Sequence, residues 1–266
     1  MDWISVAVSA GAGALAVLFS LGVLRLLGRP AGSRGAVVLH AAVFAAALAF
    51  GRHVVEPGIQ AWRVESALLE MPVYRALQQH EPQAYQRIRA AIAQGIEARW
   101  PQQQIWAATR PVVSEVTARL LPQAPDELLT RFAHHLVDAL TRLHATGGTE
   151  CFSYVNPAPG VAVDFGELLG AEFTSRELAL IADVVVATAA ALQPPVDRQA
   201  AAQDLEAVVA RLLAIHGPEA VATLENPQVP GLDRRRYCEV IAGLYREATA
   251  LPAPRGARLL RFLMQT

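Results

Sequence analysis

Ile4 to Leu24 reads ISVAVSAGAGALAVLFSLGVL, twenty-one residues without a charged side chain. As a helix rising ~1.5 Å per residue, such a run is about 31 Å long, close to the thickness of a bilayer's hydrocarbon core. A cleaved leader wants a basic start, a shorter apolar core and a small-residue cleavage site. This run instead follows Met1-Asp2-Trp3 and is too long. A helix lying flat on a surface needs a polar face, and Ser5, Ser9 and Ser20 are all it offers. Helices apolar all round at this length are uncommon in soluble cores. The run therefore reads as a transmembrane span, with Trp3 placed to anchor at headgroup level.

A second apolar stretch, Gly35 to Gly51, is seventeen residues long, alanine-rich and carries His40. It reads as a shorter span packed on the first through small residues, Ser9 and Gly13, then Ala10 and Ala14, facing Ala41 and Ala45 or Ala42 and Ala46. Between them Arg25 to Arg34 holds Gly28, Pro30, Gly32 and three arginines, the composition of a basic turn. Only Arg52 closely follows the second stretch, with Arg63 further on. By the positive-inside rule the turn is cytoplasmic and both termini are outside. The expectation is a lipid-embedded hairpin anchor over residues 1–56, with spans at 4–24 and 35–51. A domain over 57–266 follows, on the periplasmic side of a bacterial inner membrane. The alternative orientation leaves that domain in the cytoplasm. The chain has arginine and no lysine, which fits codon bias in a GC-rich genome better than a functional demand.

Residues 57–266 are long enough for one sizeable core. They read as helix after helix, broken mainly by proline, with no segment of strand period. The fold class expected is all-α, the hairpin being followed by about eight to ten helices. Tyr85, Ile88, Ile92 and Ile96 recur at helical spacing, and Pro111 is expected to kink or split a helix over 101–121. Leu129, Phe132, Ala133, Leu136, Leu140 and Leu143 give 125–145 the clearest inner face, which Gly147-Gly148 ends. The stretch Thr149 to Val163 is expected to be irregular. Thr174 to Glu177 fits a capping box that starts a helix at Ser175. Helices over 198–216, 218–224, 234–250 (capped by Asp233) and 255–264 complete the chain.

Chemistry is sparse. Cys151 and Cys238 have no metal-ligand spacing, but an oxidising compartment would allow them to form one disulfide. His134, His135, Asp138 and His144 lie on one helix, and His134 with Asp138 has a spacing that could hold a metal. Arg131 and Arg142 share that face and oppose a cation, so a solvated polar face is the better reading. No metal or other cofactor is expected. No nucleophile elbow, phosphate loop or zinc-protease motif is present, and no catalytic residue is assigned. Beyond the anchor, nineteen arginines face twenty-two acidic residues, so no basic field favours nucleic acid.

Arg234, Arg235 and Arg236 sit at a helix start, where positive charge opposes the dipole and needs compensation. Arg255, Arg258 and Arg261 share one side of the terminal helix, which can dock on its own domain, a membrane or a partner. With Phe152 and Tyr154 these six arginines are the candidate partner-binding residues. The expected role is a membrane-anchored interaction protein, an accessory, assembly or immunity-type factor binding another macromolecule. The alternatives are a membrane-bound enzyme with a site near residues 134–163, and a small oligomeric transport or channel component.

Overall fold

The computed structural model describes residues 41–47, 49, 56–147, 149–156, 165–191, 193 and 195–265. Among these residues all regular structure is helical and there is no strand. The first apolar run and the basic turn lie outside the described residues. Of the second run, residues 41–47 are helical. Among the described residues no helix is long and apolar enough to cross a membrane.

Among the described residues twelve α-helices follow, more than the eight to ten expected: α1 (Glu56–Glu70), α2 (Pro72–His80), α3 (Pro82–Glu97), α4 (Gln102–Leu120), α5 (Asp126–Thr146), α6 (Thr149–Val155), α7 (Phe165–Leu169), α8 (Ala171–Ala190), α9 (Arg198–His216), α10 (Pro218–Ala222), α11 (Arg234–Thr249) and α12 (Ala253–Leu263). The chain divides into two compact units, one of residues 1–68 and 89–108, the other of 69–88 and 109–266.

In the first unit, α3 and α4 meet at Gly95, where an added Cβ would lie 2.7 Å from Ile105 Cγ1 and 3.1 Å from Trp100 Cε3. Nothing larger than hydrogen fits there. Arg89 reaches back to Glu65 of α1 at 3.1 Å, a half-exposed pair that contributes little.

The second unit is built around α5. Asp126 and Glu127 favour its N-terminal turn electrostatically, and Leu129, Ala133, Leu140 and Leu143 are wholly buried. The helix stops at Gly147, whose φ of 146° an L side chain rarely adopts. Its two ends serve two apolar clusters. One gathers Leu140, Leu143, Phe152, Phe173 and Tyr237; the other gathers Ala133, Val208, Leu212, Leu259 and Leu260. At roughly 25 cal/mol per Å² of apolar surface, these clusters are the main favourable contribution.

Three expectations are corrected. Thr149 to Val163 is not irregular from its start, because Cys151 and Phe152 are buried against α5 and α11 and wind 149–155 into helix. The helix assigned to Ser175 begins at Ala171. Gly170, at φ 88°, makes the entry turn, and burial of Phe173 rewards the extra turn. Pro111 does not split α4, which runs unbroken through it. Burial of Val113, Val116 and Leu120 on one stripe outweighs the bond that proline removes.

The terminal helix docks on its own unit. Asp204 of α9, its side chain 3 % exposed, accepts from Arg255 Nε at 2.7 Å and Arg258 Nε at 2.9 Å. Burial alone would raise that carboxyl's pKa, but the two guanidiniums outweigh it and hold it below the usual range. Arg261, 5 % exposed, donates to the Pro122 carbonyl and to Asp126 at 2.7 Å. Gly256 lets α12 cross the end of α11, since a Cβ there would stand 2.8 Å from the Ala248 carbonyl oxygen.

Candidate interaction surface

Cys151 on α6 and Cys238 on α11 are joined by a disulfide, with Cα atoms 6.1 Å apart. The bridge is buried, at 0 % and 1 % exposure. Its sulfurs are therefore spent on tying the hairpin of α5 and α6 to α11. Phe152, read from sequence as a partner contact, lies inside this corner, edge-on to Tyr237 at 5.3 Å and covered by the Arg234 guanidinium at 5.0 Å. Tyr154 is half-buried, edge-on to Phe165, and its hydroxyl donates to Glu177 at 2.7 Å. Burial raises the pKa of both Tyr154 and Glu177; for the carboxyl it outweighs the hydrogen bond and the charge of Arg110. Neither aromatic is free to anchor a partner.

The arginine triplet is compensated in part. Asp233 caps α11 by accepting from Arg236 N at 3.0 Å. Arg236 donates to the His216 carbonyl at 2.8 Å and approaches Glu239 at 3.5 Å, and Arg234 is spent on Phe152. Arg235 is exposed and pairs with nothing among the described residues. With Arg255, Arg258 and Arg261 engaged inside the fold, it is the least committed of the six predicted arginines.

The histidines do not share one solvated face. His134 is exposed and Asp138 is bonded by Arg142 at 3.0 Å. His135 is buried and stacks on Phe173, ring centres 4.0 Å apart, with Arg142 and Arg176 also over that phenyl ring at 5.2 and 5.6 Å. Its Nε2 has no hydrogen-bond partner among the described residues. His144 instead faces Glu239 of α11 at 3.5 Å. Among the described residues no group of three His, Cys, Asp or Glu is placed to hold a metal. An i, i+1 pair on a helix diverges by about 100°, so adjacency of His134 and His135 separates them.

Burial, and then the charge of Arg176, lowers the pKa of His135, with Arg142 adding to this and Asp138 opposing it. The unfolded chain therefore takes this proton first, at about pH 6.5. Stability falls as pH drops below that value, by up to about 1.4 kcal/mol per pH unit from this group. His135→Gln is expected to flatten the fall in urea midpoint between pH 7.5 and 5.5. An unchanged pH slope would show that His135 titrates alike in both states.

A surface that sequence did not single out lies where α2, α5 and α8 meet, a groove of about 490 Å³. Ala76, Leu128, Ala182 and Ala187 line it, Val186 is 47 % exposed there, and Arg75, Arg131 and Asp183 also border it. Arg131 pairs with Asp183 at 3.3 Å. Arg75 donates to the Leu69 carbonyl at 3.2 Å and forms no ion pair among the described residues. On α8 the sequence signal is confined to Val186 and Ala187, apolar positions left unburied beside the exposed Asp183. Comparison with known proteins returns no match, whether among family profiles, curated proteins or solved structures.

Proposed function

We propose that the chain is a membrane-anchored helical interaction protein whose second unit receives a helix of a partner protein in the groove of α2, α5 and α8. The observation that carries this reading is the groove's chemistry: small side chains that let a helix approach closely, an exposed Val186, and beside it Arg75, which donates to the Leu69 and Glu70 carbonyls and meets no carboxylate among the described residues. Helix-in-groove recognition uses such a surface, an apolar stripe docking while a partner carboxylate meets the arginine. The apolar runs at 4–24 and 35–51 supply the proposed anchor. The Cys151–Cys238 disulfide supports an extracytoplasmic location for the domain, since such bonds persist in oxidising compartments.

A photo-crosslinking residue at Val186 in the full chain, activated in native membranes, tests the groove. One protein adduct at position 186, lost in the Arg75→Glu background and missing when the crosslinker sits at exposed Arg246, is the expected result. Equal labelling at 186 and 246, or none at either, would contradict it. Val186→Arg should leave the thermal midpoint within about 2 °C, because surface changes rarely exceed ~0.5 kcal/mol.

A further inference from the structure

The seam between α5 and α8 carries both the groove and a buried imidazole. The two helices run antiparallel. Arg131 meets Asp183 at 3.3 Å, and four residues on, His135 meets Phe173, ten residues earlier on α8. Leu128 and Arg131 of α5 line the groove from one side, and Asp183, Val186 and Ala187 of α8 from the other. The spacing of α5 and α8 therefore shapes the groove, and the stack of His135 on Phe173 holds that spacing.

A neutral imidazole suits this place and a charged one does not. A protonated ring carries two N–H donors, and Nε2 of His135 is buried with no acceptor among the described residues. The Phe173 ring already has the guanidiniums of Arg142 and Arg176 over it at 5.2 and 5.6 Å. A proton on His135 puts a third positive charge around one phenyl, where partial burial limits screening by salt. Asp138, one turn along α5, is bonded to Arg142 at 3.0 Å. The other elements packed on α5 give no relief. Glu177 of α8 is bonded to Tyr154 of α6, and Glu150 of α6 lies beyond the C-terminal end of α5. Glu167 of α7 is exposed, Glu239 of α11 faces His144, and Arg261 of α12 is bonded to Asp126. Burial and then Arg176 keep the ring neutral at pH 7.

We infer that His135 is a proton-operated catch on the groove: in mild acid its third positive charge drives the first turns of α8 away from α5, and the groove releases its partner helix. The inference rests on the groove reading above and adds its regulation.

Hydrogen exchange of the full chain in detergent micelles, corrected for intrinsic rates, tests the catch at pH 7.5 and 5.5. Amides at 174–180 should open about three- to tenfold more often at pH 5.5, tenfold being the limit for one proton taken up at about pH 6.5 in the open state. That exchange should be indifferent to ~1 M urea, the mark of a local opening that exposes little surface. His135→Gln should abolish the acid response, and Arg176→Gln, at an exposed position, should weaken it. A response kept in His135→Gln, or exchange at 174–180 that rises with urea in step with 205–212 of α9, would overturn the catch. The photo-crosslinker at Val186 in native membranes reads the groove itself. Its protein adduct should fall at least threefold at pH 5.5 in the native chain and persist in His135→Gln. An adduct equal at both pH values would overturn the regulation while leaving the groove reading intact. No adduct at either pH would fail the groove reading, and the regulation with it, even if the exchange result stands.

Discussion

Phe173→Ala is expected to lower stability by about 4 kcal/mol, the range for removing a buried aromatic ring from a packed core. Phe173 is 1 % exposed and belongs to the cluster that joins α5, α6, α7, α8 and α11. Its ring is also the common platform for His135 at 4.0 Å and for the guanidiniums of Arg142 and Arg176. Removing it opens a cavity and leaves two like charges beside a buried imidazole with no π face between them. For a chain of this length the thermal midpoint should fall by about 8–16 °C. Phe173→Leu, which restores most of the apolar volume, should recover about half of that. A fall of under ~3 °C for the alanine variant would mean that the α8 entry turn does not bury this ring as described.

The second large effect concerns the disulfide. Cys151 and Cys238 are 87 residues apart in sequence, so their bond restricts the unfolded chain strongly. The chain-entropy estimate for closing a loop of that size is about 4.6 kcal/mol. Replacing both cysteines with alanine is expected to lower the thermal midpoint by roughly 9–18 °C, with some additional loss of packing at the corner of α6 and α11. Because both sulfurs are buried, reductant should act on the native protein slowly, through opening, and rapidly once it is unfolded. Equal midpoints for the native chain and the double alanine variant, both measured without reductant, would contradict the bridge.

Much of the helical plan was legible because its punctuation is chemical. Asp233 caps α11 through its side chain as expected, Gly147 and Gly217 end α5 and α9, and Asp197, which the sequence reading did not single out, caps α9 in the same way. Helix starts were misplaced where burial outweighed local signals. The Thr174–Glu177 pattern resembles a cap, but Glu177 is bonded to Tyr154 and the helix is already one turn old. The candidate site was harder still. Arg255, Arg258 and Arg261 form one basic edge in sequence, yet Asp204 and Asp126, more than fifty residues away, take their charge inside the fold. Phe152 and Tyr154 sit among turn residues, and only tertiary packing shows them turned inward. The groove went unread because it belongs to three helices at once, and each contributes only a few small or apolar side chains.

The proposal that the N-terminal apolar runs hold the helical body at the outer face of a membrane has one direct test. Cells expressing the full chain with a C-terminal epitope are converted to spheroplasts, treated with external protease, and their membranes extracted with alkaline carbonate. The account predicts an epitope destroyed by external protease, and in untreated cells a chain that stays in the carbonate-resistant pellet. An epitope protected in intact spheroplasts would reverse the orientation. A chain released into the carbonate supernatant would contradict the anchor itself.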